Sequence, residues 1–267
     1  MKRLIVWGAG ELGGRVARMW TDGPVIGLTR TTERHAALQA AGISPKVGSA
    51  IGLLEQDDLL LLALPGHIKQ KAALDSLATY PPPARTVLIS STGYYGPTPS
   101  GIINEESPRG KTERAANIAA TEQTFLAWAG QNGVVVRLGG LYRLGRGPMP
   151  ALARRGEPLL KPPDKTLALI HYDDAAIAVM AALQRPQVEP LYLAVTPPCP
   201  SRRTFYEAAC QKLALPAPRF AAPIGLPPAD YDVTRLRRDL LAQPAHPDWR
   251  EALERNGITQ RVPDDAD

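Results

Sequence analysis

The sequence predicts an α/β fold: a doubly wound parallel sheet, with a smaller, loop-rich and mostly helical part after it. Three observations predict it. Short apolar runs alternate with helical patterns from the N-terminus to about Val195. One run, Leu59-Leu60-Leu61-Leu62-Ala63-Leu64, is continuously apolar, as suits a parallel strand covered on both faces. The first run ends in a glycine-rich turn that opens at once into a helical pattern.

That first run, Leu4-Ile5-Val6-Trp7, meets Gly8, Gly10 and Gly13 in G-x-G-x-x-G spacing, and Leu12, Val16 and Met19 or Trp20 then share one helical face. Each glycine has a reason in a dinucleotide site. Gly8 allows a tight exit from the strand, Gly10 allows backbone close to a pyrophosphate, and Gly13 lets the helix lie on the strand. The helix N-terminus adds free N–H groups and a partial positive charge. A tight strand-to-helix turn without a ligand is the plainer reading, and the flanking strand and helix favour the dinucleotide.

Pro24–Arg30 reads as a second strand. An Asp or Glu near its end would take the 2′-hydroxyl of NAD, but this chain has Thr29-Arg30-Thr31 there, with no acid before Glu33. Arg30 suits the 2′-phosphate of NADP or is a solvated strand-end charge, so NADP is favoured and NAD stays open. A helix over Glu33–Ala41 and a weak strand near Lys46-Val47 precede the Leu59–Leu64 strand, which Pro65-Gly66 ends. A helix from Ile68 to Ala78 leads to the strand Thr86–Ser90 and then to Ser91-Thr92-Gly93-Tyr94-Tyr95-Gly96-Pro97. Hydroxyls at the carboxyl end of a parallel strand are where doubly wound folds place chemistry, although a Ser/Thr-capped turn explains them too.

A helix spans Lys111–Ala129, and Val134–Leu138 is a strand that leads into Gly139-Gly140-Leu141-Tyr142. An irregular stretch with Arg146, Arg154, Arg155 and Lys161 precedes a strand over Thr166–Ile170, a helix over Ala175–Gln184 and a strand over Leu191–Val195. Beyond Thr196 the chain is proline-rich, with helices near Ser201–Leu213 and Trp249–Asn256 around a basic segment, Thr234–Leu241. The expected organisation is a Rossmann-type dinucleotide-binding domain over 1–196, with 143–166 reaching into the substrate pocket, and a substrate-binding part over 197–267.

Composition narrows the class. Among 267 residues, 44% are hydrophobic and 21% charged, which is ordinary for a globular protein. No run approaches the ~18 apolar residues of a membrane span, and the N-terminal run is too short for a signal peptide, so a cytoplasmic location is expected. Two cysteines exclude a disulfide framework, and four histidines show no metal-ligand spacing, so no metal is expected. The net charge of +5 is spread without an aromatic-interleaved basic stripe, which argues against nucleic acid and suits a phosphate-bearing cofactor or an anionic substrate. A serine hydrolase is disfavoured because no G-x-S-x-G is present.

Five stretches in order, GAGELGG, LISSTGYYGP, RLGGLY with its later GRGP, IHYDDAA and RLRRDLLAQPAHPDWREAL, resemble the extended short-chain dehydrogenase/reductase superfamily, the NAD-dependent epimerase/dehydratase-like proteins, and within it the small atypical members. The resemblance implies that Gly8, Gly10, Glu11, Leu12 and Gly13 hold the cofactor pyrophosphate and that Ala63, Leu64 and Pro65 cover the cofactor. It implies that Ser91 is the active-site hydroxyl, that Gly140 and Leu141 approach the nicotinamide, and that Arg146 and His171 touch substrate. The departures are as informative. Counting back from Ala120-Thr121-Glu122, the family's catalytic Tyr and Lys fall on Arg114 and Ile118. Arginine side chains stay charged at neutral pH and exchange no proton, and isoleucine holds no ribose hydroxyl. Where many members set an Asp against adenine, this chain has Gly48-Ser49-Ala50.

The expected function is therefore an NADP-dependent oxidoreductase that moves hydride between nicotinamide and a carbonyl or imine of a small polar or anionic substrate. Ser91 with Thr92 would bind the heteroatom, and the proton would come from a non-standard donor. Tyr94 is the first candidate, with Tyr95, Tyr142, His171 and solvent as alternatives. Arg114 would orient a substrate carboxylate or cofactor phosphate. Two other readings stay open: a catalytically silent NAD(P)-binding sensor, and an epimerase or lyase that retains its cofactor. A homodimer through the Glu113–Ala129 helix is the family-level expectation for assembly, the alternative being that this helix simply packs on its own sheet.

Overall fold

The computed structural model describes residues 1–143, 161–212, 214–216, 218–225 and 227–255. The chain runs β1 (Leu4–Trp7), α1 (Glu11–Met19), β2 (Val25–Thr29), α2 (His35–Ala40), β3 (Ser44–Val47), β4 (Leu59–Leu62), α3 (His67–Leu77) and β5 (Arg85–Ser91). A 3₁₀ turn over Thr92–Tyr95 follows, then β6 (Gly101–Ile103), α4 (Glu113–Ala129), β7 (Gly133–Leu138) and β8 (Gly140–Tyr142). The last elements are β9 (Leu169–His171), α5 (Tyr172–Gln184), β10 (Leu191–Ala194), α6 (Arg202–Lys212), β11 (Ala229–Tyr231), α7 (Thr234–Asp239) and α8 (Trp249–Arg255).

Seven strands form one sheet in the order β10-β7-β5-β4-β1-β2-β3, and every pairing is parallel. Successive strand residues point to opposite faces, and the core divides accordingly. Leu4 and Val6 pack with Leu12 and Val16 of α1 and with Ala178, Val179 and Ala182 of α5. Ile5 and Trp7 pack on the other face with Leu74 and Leu77 of α3 and with Phe125 of α4. The doubly wound parallel sheet expected from the apolar runs is the observed fold. Among the described residues no helix is long and apolar enough to cross a membrane.

The differences lie in the short elements. Gly140–Tyr142 is a strand rather than a turn and pairs in parallel with Leu169–His171, while Thr166 makes only a single bridge to Ser201. Helix α5 starts at Tyr172, ahead of the expected Ala175, because His171 caps it: Nδ1 accepts the Asp173 N–H at 3.2 Å. Gly101–Ile103 and Ala229–Tyr231 form a second small parallel sheet that nothing in the sequence pattern announced. Beyond Thr196, Tyr231, Leu236 and Leu240 join the main core, whereas Phe205, Tyr206, Trp249 and Leu253 close a smaller core with Tyr142 and Leu169. The C-terminal stretch thus packs in two places.

Candidate functional site

Strand β1 lies between β4 and β2, the point at which the chain changes direction across the sheet. At the carboxyl ends of these strands, where doubly wound sheets bind ligands, opens a cavity of about 770 Å³. Gly8, Gly10, Thr29, Arg30, Ala63, Leu64 and Pro65, all expected at a cofactor, line it.

The three glycines of the turn separate into two kinds. Gly8 has φ +104°, and a Cβ there would stand 2.7 Å from the Ala63 carbonyl group. A Cβ on Gly13 would stand 2.2 Å from the Gly8 oxygen and 2.9 Å from Val6 Cγ1. Both are glycine because strand, turn and helix touch there. Gly10 is different: a Cβ would meet no protein atom within 4 Å, and the residue lines the cavity and N-caps α1. Packing explains Gly8 and Gly13 and leaves Gly10 unexplained, as a turn built for a close-lying phosphate would.

At the end of β2 the Thr29 hydroxyl lies 2.8 Å from both the Thr31 carbonyl and His35 Nε2, which fixes the turn carrying Arg30. The cavity wall carries three cationic side chains, Arg30, Arg34 and Lys69, against one carboxylate, Glu33. Gly48, standing where the family has its adenine Asp, lines the cavity as bare backbone with φ +120°. Of the remaining expected cofactor residues, Leu12 and Gly13 are buried, so they offer backbone rather than side chain. Glu11 pairs with Arg15 at 3.2 Å and with Arg143 at 3.3 Å. Gly140 is tied to Ala168 through its N–H (2.7 Å), and Leu141, next to it in β8, is half-buried.

The second region is the loop after β5. Ser91 ends the strand, and its Oγ accepts the Gly93 N–H at 3.1 Å, which caps the 3₁₀ turn of Thr92, Gly93, Tyr94 and Tyr95. A buried polar network holds this turn from below. Arg137 of β7, 4% exposed, pairs with Glu122 of α4 at 2.7 Å, and Glu122 also accepts the Ser90 hydroxyl at 2.5 Å. The Arg137 guanidinium donates to the Tyr95 phenol at 3.1 Å and lies 3.3 Å from the Tyr94 ring centre. Burial alone would lower the Arg137 pKa, but hydrogen bonding to and the charge of Glu122 keep it above the ordinary arginine value. Burial pushes the Tyr95 phenol up to about 12 despite Arg137.

Helix α4 presents Arg114 and Ile118 to this turn. A Cβ on Gly93 would stand 3.0 Å from Ile118 Cδ1, 3.3 Å from Arg114 Nε and 3.4 Å from Ser91 Oγ. The positions counted from the family's missing Tyr and Lys therefore do flank Ser91.

His171 has a different setting from the other expected site residues. It is 2% exposed, caps α5 and stacks against His246 with ring centres 3.7 Å apart. Burial first, and then His246, hold its pKa well below the ordinary histidine value. Its burial offers no open face to a substrate. Asp173 Oδ2 lies 3.2 Å from His246 Nε2 and 3.5 Å from His171 Nδ1, and these three residues bring potential ligand atoms within 4.8 Å of one another. The sequence shows no such grouping because His246 is 73 residues from Asp173. Asp173 also pairs with Arg15, so the carboxylate already has a cationic partner. Arg146 lies outside the described residues.

No protein-family model and no curated protein matches the sequence. Solved structures do. A functionally unknown conserved protein from Silicibacter pomeroyi superposes with a TM-score of 0.75 at 22% identity, covering 95% of this chain and 97% of that one. UDP-glucuronic acid 4-epimerase from Bacillus cereus, in complex with UDP-glucuronic acid and NAD, gives 0.75 at 16% identity over 95% and 97%. The dTDP-glucose 4,6-dehydratase of Bacillus anthracis, in complex with NAD, gives 0.74 at 16% identity over 95% and 96%. The chain shares the fold of these epimerase and dehydratase structures over nearly its whole length. The resemblance read from five short motifs agrees with the course of nearly the whole backbone.

Proposed function

We propose that the chain is an NADP-dependent oxidoreductase acting on a carbonyl or imine of a small polar or anionic substrate. The observation that carries this reading is the cavity over Gly10, a glycine that no protein contact requires, with Arg30, Arg34 and Lys69 in its wall. The residues fit a dinucleotide: the turn from Gly8 to Gly13 and the N-terminus of α1 would hold the pyrophosphate, and Arg30 the 2′-phosphate. The bound NAD named in two of the similar structures supports a nicotinamide dinucleotide of one kind or the other. When bound, such a cofactor supplies hydride transfer.

The rest of the chemistry falls to the chain. Ser91 accepts from Gly93, so its own proton is free to be donated to a substrate heteroatom, with Thr92 beside it. Tyr94 remains the first proton donor: Tyr95 is engaged with Arg137, while Tyr142 and His171 are buried. An imine reaching the site already protonated would need no donor. Because Arg114 and Ile118 stand where the Tyr and Lys belong, a cofactor-binding sensor is the second reading, ahead of a cofactor-retaining epimerase or lyase.

Fluorescence titration with NADPH and NADH tests the proposal. NADPH should bind tighter, and Arg30→Ala should weaken NADPH about tenfold while leaving NADH nearly unchanged. Failure of both nucleotides to bind would overturn the cofactor reading. Tighter NADH would overturn the role of Arg30. NADPH binding without turnover of any carbonyl or imine offered would favour the sensor.

A further inference from the structure

Glu11 is the odd residue of the glycine turn. It is the first residue of α1 and follows Gly10 at the cavity wall, where the helix N-terminus would receive the diphosphate. A carboxylate there suits the helix dipole when no ligand is bound. The same charge opposes a diphosphate once one arrives. Helix stability thus accounts for Glu11 only in the empty chain.

The carboxylate is not loose. Its Oε1 accepts Arg15 Nη2 at 3.2 Å, Arg15 Nε at 3.3 Å and Arg143 Nε at 3.3 Å. The two arginines differ in what else holds them. Arg15 belongs to α1 and also donates to Asp173 at the start of α5, so it keeps a carboxylate and a fixed place whatever Glu11 does. Arg143 follows directly on β8 and comes to α1 from outside the glycine turn, meeting it at Glu11. A guanidinium takes a phosphate oxygen in the same way as a carboxylate oxygen. Glu11 Oε1 therefore stands at the N-terminus of α1 as a diphosphate oxygen would, with cationic donors already turned towards it.

We propose that Glu11 is a built-in competitor of the cofactor diphosphate. In the empty chain it holds Arg143 beside the turn; on binding, the diphosphate takes over Arg143 and the Glu11 side chain turns away. Arg143 is then a cofactor ligand common to NADPH and NADH, unlike Arg30, which reads only the 2′-phosphate. Glu11 positions that ligand and limits how tightly either nucleotide is held. The inference rests on the dinucleotide reading, but not on NADP, on hydride transfer or on any substrate.

Calorimetric titration with NADPH, NADH and ADP-ribose tests it, with adenosine 2′-monophosphate as the probe that lacks a diphosphate. Glu11→Gln keeps the shape of the side chain and removes its charge. It should tighten NADPH, NADH and ADP-ribose alike, about fivefold, and leave adenosine 2′-monophosphate unchanged. Arg143→Gln should weaken the same three by a similar factor. With Arg143→Gln already in place, Glu11→Gln should gain less, because no guanidinium is left to compete for. Thermal denaturation of each variant separates these effects from misfolding: a carboxylate that served only the helix would, on removal, lower the melting temperature without tightening any nucleotide. NADPH and ADP-ribose bound by Glu11→Gln as by the parent, or more weakly, would overturn the proposal while leaving the cofactor reading intact. A gain confined to NADPH, or one shared by adenosine 2′-monophosphate, would overturn it as well, since neither depends on the diphosphate. If neither the parent nor Glu11→Gln binds any dinucleotide, the cofactor reading falls and the competitor falls with it.

Discussion

The cofactor cavity and the loop after β5 lie at the same end of one sheet, yet they are built from different material. The cavity is shaped by backbone: Gly8 against Ala63, Gly13 against Gly8, and Gly10 and Gly48 bare at the wall. The loop is held by side chains drawn from two distant elements, Glu122 of α4 and Arg137 of β7, which meet the loop's own Tyr95 and the Ser90 hydroxyl. A backbone site tolerates no extra atoms, whereas a side-chain site tolerates no missing partner. That contrast sets which substitutions should be severe and in what way.

The largest effect belongs to the buried ion pair. Arg137→Met would leave Glu122, 4% exposed, without its cation, and removal of one partner of a buried pair costs about 3–5 kcal/mol. Chemical denaturation should show that loss, and the double variant Arg137→Met with Glu122→Leu should recover part of it because no unpaired charge remains. If the double variant is no more stable than the single one, side-chain packing rather than charge holds the loop.

The glycine turn provides the next test. Gly13→Ala places a methyl group 2.2 Å from a carbonyl oxygen, and overpacking of that kind costs roughly 1–3 kcal/mol or more. Gly10→Ala meets nothing within 4 Å, so its cost is confined to the poorer N-cap, about 1 kcal/mol or less. NADPH binding should reverse that ranking in meaning: Gly10→Ala keeps the fold and loses affinity about tenfold or more. A Gly10→Ala protein that bound NADPH like the parent would show that the turn is bare for a reason other than a phosphate.

The same contrast explains what could be read from the sequence. Most of the seven-stranded sheet was legible because its strands are largely apolar runs with turn residues between them, exposed β3 showing only as a weak strand near Lys46-Val47, and the cavity was legible because glycine spacing is a local record of backbone contacts. Arg137 was not, since a lone cation in Val134–Leu138 looks like a strand end until β7 is paired between β5 and β10. The strands Gly101–Ile103 and Ala229–Tyr231 stabilise each other across the chain and carry too few residues to show a period. Arg114 and Ile118 were found only by counting from a family pattern. Their position against Gly93 needed the structure.

His171 gives the smallest effect and tests how far that illegible region extends. It was expected at the substrate, but it is buried against His246, with Arg15 and Arg143 also disfavouring its charged form and Asp173 opposing them. Its folded pKa lies below the unfolded value near 6.5. Above that pH neither state binds the proton, and the full contribution to stability is present. As pH falls below about 6.5 the unfolded chain takes a proton that the folded chain refuses, so stability declines by up to about 1.4 kcal/mol per pH unit. Urea midpoints at pH 7.5, 6.5 and 5.5 should therefore fall more steeply for the parent than for His171→Asn, whose side chain still caps a helix but does not titrate. Parallel curves would mean that His171 protonates freely in the folded protein, which would return it to the list of groups able to meet a substrate.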